Sequence, residues 1–130
     1  MKKAFPKATR HLEYVAFFDF QLSTLEGPAY VFVAVDAYSQ FAFMLGVERE
    51  KNSNTILKNI YFLLENPDFV RYLDESKGFT LVLEDYEVLF DAIGNIIHPA
   101  NGKILFSKSY NNYLANPVLA SMRDSIMRQK

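Results

Sequence analysis

The stretch FFDFQLSTLEGPAYVFVAVDAYSQFAFM, Phe17 to Met44, decides the fold. It lies in a region of three apolar runs parted by two short polar breaks. Glu13 to Phe20 is rich in aromatic and β-branched residues, which reads as a strand. Ser23-Thr24-Leu25-Glu26-Gly27-Pro28 supplies turn chemistry, with Gly27 free to take a positive φ and Pro28 fixing its own. Tyr30 to Val35 is uninterruptedly apolar, as in a strand covered on both faces. A second turn at Asp36-Ala37-Tyr38-Ser39 leads to a third strand, Phe41 to Val47. Connections this short favour an antiparallel meander.

Downstream the periodicity changes. After a charged turn at Glu48 to Lys51, Asn52 or Ser53 can cap a helix by accepting a backbone N–H bond. Ile56, Leu57, Ile60, Leu63 and Leu64 recur at helical spacing and form one apolar face. Pro67 is expected to end that helix, and Asp68 to Glu75 to add a second helical piece stopped by Gly78. Phe79 to Leu83 is a short strand. A brief helix around Tyr86 to Ile93 is expected to stop at Gly94-Asn95 in a left-handed turn. Ile96-Ile97 and Lys103 to Phe106 flank Asn101-Gly102, which suits a small hairpin or a strand replacing a loop. Asn116 as cap and Pro117 in a first turn open a final helix to about Gln129. Residues 1–10, with Lys2, Lys3, Lys7 and Arg10, form a flexible basic arm, and no linker divides residues 1–130 into more than one domain.

Composition sets limits on function. Half the residues are hydrophobic and 15% aromatic, enough to build a core and exclude disorder. The net charge of −1 lacks the basic excess that a chain holding DNA by itself normally shows, so composition alone does not indicate nucleic acid. The absence of cysteine excludes disulfides, thiolate metal sites and thiol nucleophiles, and leaves a reducing, cytoplasmic setting as the default. The longest apolar run, Ala29 to Val35, is too short to cross a bilayer, and Tyr14 to Phe18 stops at Asp19 without a cleavage site, so no membrane association or signal peptide is expected. His11 and His98 lie in polar loops with no second ligand at helical spacing, which argues against zinc.

Three antiparallel strands, a helix, and a strand returning beside the first is the order of the ribonuclease-H-like fold. Phe17 to Met44 resembles the opening of retroviral integrase and transposase catalytic cores: a strand carrying an acid, a short loop with Gly, an apolar strand, an Asp-x-x-Ser turn and a third strand. Asp19 falls on the first acidic position, and Asp36 with Ser39 on the turn. TLVLEDYEVLF, Thr80 to Phe90, is similar to the next family segment and puts Asp85 on the second acidic position. The resemblance covers residues 10 to 128. It implies an α/β fold with a mixed five-stranded sheet, three strands antiparallel and the rest parallel, flanked by helices. It also implies two Mg²⁺ or Mn²⁺ ions about 4 Å apart, held by carboxylates and acting on a DNA phosphodiester. A homodimer is expected on the same ground.

The chain departs from the family in its final helix. Aligning NPVLASMRDSI, Asn116 to Ile126, puts Ala120 where the third acid, a Glu, belongs, and the nearest acid is Asp124, one turn later. Tyr86-Glu87 replaces the usual Asn-Gly after the second acid. Apart from any family, Asp19 inside an apolar strand is costly unless paired or metal-bound, Asp85 suits a helix cap, and Asp124 suits a solvated helix face. The leading expectation is a catalytically impaired core from a mobile element, acting as a binding or dimerisation module or surviving as a remnant. Its first rival is an active Mg-dependent strand transferase or nuclease using Asp19, Asp85 and Asp124. The second is an unrelated α/β interaction domain.

Overall fold

Side chains along Tyr14–Thr24 (β1) alternate between two buried faces: Val15 and Phe17 point to one, Ala16 and Phe18 to the other. The computed structural model describes residues 5–128, with side chains through Met122. Gly27–Asp36 (β2) alternates in the same way, Phe32 and Ala34 against Val31, Val33 and Val35. That two-sided burial explains its unbroken apolar run. With Ala42–Glu48 (β3), these strands form the expected meander, β1 against β2 and β2 against β3, both antiparallel. The first turn is tighter than the sequence suggests: Thr24 pairs with Gly27 and Ser23 with Pro28, leaving Leu25-Glu26 as the tip.

Phe79–Leu83 (β4) lies parallel to β1, and Gly102–Phe106 (β5) parallel to β4, giving the order β3-β2-β1-β4-β5. The fold is therefore α/β with a mixed five-stranded sheet. One face carries Ser53–Glu65 (α1), Pro67–Tyr72 (α2) and Phe90–Ile97 (α3), which contribute Ile56, Ile60, Leu63, Phe69, Ile93 and Ile97 to the larger core. The opposite face is covered by Lys108–Arg128 (α4) through Tyr110, Leu114 and Ala115. Asn52 caps α1 by accepting from the Thr55 N–H, in a reciprocal capping box. Pro67 does not merely end α1; it opens α2 at its first position, where a missing N–H costs nothing. Among the described residues no helix is long and apolar enough to cross a membrane.

Three expectations are corrected. α3 runs through Gly94-Asn95 to Ile97 after a 3₁₀ turn at Glu87–Leu89. Ile93 and Ile97, one turn apart, are both fully buried, and that burial outweighs the roughly 1 kcal/mol that glycine costs a helix. Of the two readings left open at Asn101-Gly102, the hairpin does not form and the strand does, as β5. Asn101 takes the left-handed conformation after the 3₁₀ turn His98–Ala100, and Gly102 opens β5. Gly102 is glycine for lack of room, since a Cβ there would stand 2.6 Å from Phe79 Cζ and 2.8 Å from Ile97 Cβ. Finally, α4 begins at Lys108, so Pro117 lies inside the helix and Asn116 is no cap. Pro117 and Tyr113, whose carbonyl loses its helical partner, both face solvent, where water can satisfy the carbonyl.

Of the basic arm, residues 5–10 are fastened rather than loose. Phe5 stacks on Tyr110 at 5.2 Å, and the Tyr110 hydroxyl donates to the Pro6 carbonyl at 3.0 Å. Lys2 and Lys3 lie outside the described residues.

Candidate functional site

The β1–β4 ladder is short. Tyr14, Val15 and Ala16 pair with Thr80, Leu81 and Val82, after which the two strands part. Asn111, on the first turn of α4 and 1% exposed, spans the fork. Its Nδ2 donates to the Phe17 carbonyl at 3.0 Å and the Val82 carbonyl at 2.9 Å, so a single amide nitrogen serves both diverging strands. Its Oδ1 is buried without a hydrogen-bond partner among the described residues.

Beyond the fork Asp19 and Asp85 line one hollow of about 120 Å³, shared with Lys51, Glu84 and Tyr86. Asp19 sits on the α1–α3 side of the sheet because it follows Val15 and Phe17 in the two-residue alternation of β1. Its side chain keeps only 11% exposure, whereas Asp85 is exposed at the end of β4. Asp85 makes no side-chain cap: Tyr86 holds the cap position of the 3₁₀ turn, which has no side-chain capping bond.

Asp19 Oδ1 accepts two partners, the Lys51 ammonium at 2.9 Å and the Tyr86 hydroxyl at 3.0 Å. Lys51 comes from the turn between β3 and α1, and its Nζ also lies 5.5 Å from the Tyr86 ring centroid, within cation–π range. Tyr86 reaches inward because its backbone is left-handed, φ 78°, a conformation costing a non-glycine residue roughly 1–2 kcal/mol. The neighbouring Glu87 is left in solvent. Burial, then the negative charge of Asp19 and the bond donated to it, push the Tyr86 phenol far above its usual range. Burial also pushes Tyr110 up to about 12.

Both tyrosines therefore hold their protons more tightly folded than unfolded. The stability this contributes is complete below the unfolded tyrosine pKa of about 10 and is lost as pH rises through the folded values. Urea midpoints measured against pH should fall above about pH 10, and Tyr86→Phe should flatten that fall even though it lowers the midpoint at neutral pH. An unchanged alkaline slope in the variant would contradict the assignment.

The remaining expected site residues lie elsewhere. Lys108, at the start of α4, is near the hollow, its Nζ 3.9 Å from Glu84 Oε1. From there the helix leads away: Pro117, Val118, Ser121 and Met122 border a separate groove with Val35, Gln40 and Ala42, at the end of the sheet where β1 begins. Ala120 lies nine residues beyond Asn111, roughly 13 Å of helix. Asp124 falls one turn further along the helix, and its side chain lies outside the described residues.

Asp36 proves far more than a turn residue. Buried to 1%, it accepts from the N–H groups of Leu12 and Tyr38 through Oδ1, and from the Ser39 N–H and hydroxyl through Oδ2. His11 Nδ1 lies 3.3 Å from Oδ2, with the ring stacked on Tyr72 at 4.5 Å. The Asp-x-x-Ser turn is thus a structural knot joining the β2–β3 turn to the residues before β1.

Sequence reasoning missed Lys51, Tyr86 as an inward-facing residue, and Asn111. The signal for Asn111 was available: Tyr110 and Leu114 at helical spacing define a buried face, and Asn111 adjoins it. Nothing in the turn Glu48 to Lys51 singled out the lysine.

No protein-family model matches the chain, and no curated protein does. Among solved structures, a chain of the cryo-EM structure of the simian T-cell lymphotropic virus intasome in complex with PP2A regulatory subunit B56 gamma superposes with a TM-score of 0.70 at 7% sequence identity. The match covers 98% of this chain and 45% of that one, so the present chain spans less than half the length of its structural neighbour. At such identity the likeness shows the fold, and the strand order, helix placement and superposition together identify that fold as ribonuclease-H-like.

Proposed function

We propose that this chain is an integrase-core-like domain of mobile-element origin whose polynucleotidyl-transfer chemistry is impaired, and that it serves as a binding or dimerisation module. The observation that carries this reading is the state of Asp19: its Oδ1, where the resemblance implies a Mg²⁺ or Mn²⁺ ligand, is held by Lys51 and Tyr86. Two divalent ions need several carboxylate oxygens at about 2 Å for Mg²⁺. The residues present do not fit that requirement, because an ammonium and a phenol already share Asp19 Oδ1. Where α4 passes the β1–β4 fork it offers Asn111, an amide, and near the hollow it offers Lys108, a cation. The net charge of −1 points the same way.

One observation favours the rival reading of an active nuclease: Asp19 and Asp85, distant in sequence, do border one hollow. Incubating the protein with supercoiled plasmid in Mn²⁺ separates the two. The expected result is no nicking above that of an Asp19→Asn control. Metal-dependent nicking that disappears in Asp19→Asn would reinstate the enzyme, with the third ligand supplied from α4 or from beyond this domain.

A further inference from the structure

We infer that Lys51 is the resident counter-ion of this site: its ammonium occupies a cation position on Asp19, so that a divalent metal and Lys51 exclude one another. The inference rests on the reading of an impaired integrase-like core and specifies what impairs it.

The hollow is already a cation site, with the cation supplied by the chain. Lys51 Nζ is 2.9 Å from Asp19 Oδ1 and 5.5 Å from the Tyr86 ring centroid, so a carboxylate and a π face meet the same ammonium. The anions around it outnumber it, since Asp19, Asp85 and Glu84 all border the hollow and Lys51 is the one cation among its lining residues. Glu84 is paired outside the hollow's lining residues, with Lys108 at 3.9 Å. A divalent ion entering this 120 Å³ space would face the ammonium at a few ångströms, and the repulsion falls wholly on the metal-bound state. Lys51 has little reason to leave unaided: its side chain is only 35% exposed, and departure would uncover a carboxylate that is itself 11% exposed. Because Lys51 is carried by the β3–α1 turn and not by the sheet, its removal leaves the strands that place Asp19 and Asp85 untouched.

The test is Mn²⁺ binding, followed by titration calorimetry and by loss of the free-ion paramagnetic resonance signal. Wild-type protein should bind weakly. Lys51→Met, which keeps the aliphatic stem and removes the charge, should bind at least about tenfold more tightly, and Lys51→Met/Asp19→Asn should lose the gain. Lys51→Arg, which keeps the positive charge, should behave as wild type. Circular dichroism confirms that each variant is folded, and Lys51→Gln provides a second neutral replacement. The inference is overturned if neither folded neutral variant binds Mn²⁺ better than wild type, or if Lys51→Arg gains as much as Lys51→Met. The two conclusions fail separately. Nicking by wild type defeats the reading of an impaired core, whereas an inert wild type whose neutral variants gain no metal leaves that reading standing and removes Lys51 as its cause.

Discussion

Asp36→Ala should lower stability by about 3 kcal/mol, seen as a shifted urea midpoint with an unchanged slope. The carboxylate is 1% exposed and serves three backbone N–H groups and one hydroxyl, with a histidine nitrogen at 3.3 Å. Truncation leaves the Leu12 N–H in the core, beside a side chain that is itself 1% exposed, with no acceptor and no route to water. The Tyr38 and Ser39 groups lie closer to the surface and can recover part of their loss by hydration, which is why the sum of individual bonds would overstate the cost. Asp36→Asn keeps an oxygen in place and should cost about half as much. A loss below about 1 kcal/mol for Asp36→Ala would show that the knot is replaceable by solvent.

Asn111→Leu is the second large effect. Leucine keeps the branched side-chain skeleton and is somewhat bulkier, so the change opens no cavity beside Tyr110 and Leu114, and it sets methyl groups against the two carbonyls. It removes both donors from the fork and strands the carbonyls of Phe17 and Val82 in an apolar setting, at about 1–3 kcal/mol for each buried group left unsatisfied. Against this stands one gain, since the buried, unpartnered Oδ1 disappears as well. The net expectation is about 3 kcal/mol of destabilisation, or a melting temperature lower by roughly 10 °C. If Asn111→Leu were neutral, the amide would not be what holds the diverging strands, and the geometry of the acidic hollow would need another explanation.

The parts of this fold that were legible in the sequence are those governed by short-range patterning. Phe17 to Met44 alternates and turns in a way that admits one arrangement, and Ile56 to Leu64 shows one helical face, so the sheet's antiparallel half and α1 follow directly. Errors gather where a local stop signal meets a longer-range demand. Gly94-Asn95 reads as a stop until Ile93 and Ile97 are both required in the core. Asn101-Gly102 reads as a hairpin until β5 is seen to run parallel to β4, where the glycine answers to Phe79 and Ile97. Pro117 reads as a beginning because its solvent-facing position, which makes it tolerable within α4, is a tertiary fact.

The site was legible to a different depth. That Asp19 and Asp85 approach one another follows from strand order, because β4 must lie beside β1 for the resemblance to hold. What holds the Asp19 carboxylate does not. Lys51 is separated from Asp19 by two strands, and Tyr86 depends on a left-handed backbone that few sequence rules assign to tyrosine. The alignment of the last helix failed in a more instructive way. Matching Ala120 to a missing glutamate assumed a helix beginning near Pro117, and with α4 starting at Lys108 the segment that meets the β1–β4 fork is about two and a half turns earlier.

The early parting of β1 and β4 also makes the sheet mechanically uneven. Near Tyr14 and Val15 the central strand is gripped from both sides, whereas from Phe20 to Thr24 its only ladder among the described residues is to β2. β2 in turn meets β3 through a register shift between Val31 and Val33, and the ribbon ends at Leu25, fully in solvent. Amide protons in that outer arm can therefore trade with water by local fraying, while those around Val15 and Leu81 wait for the whole molecule to open.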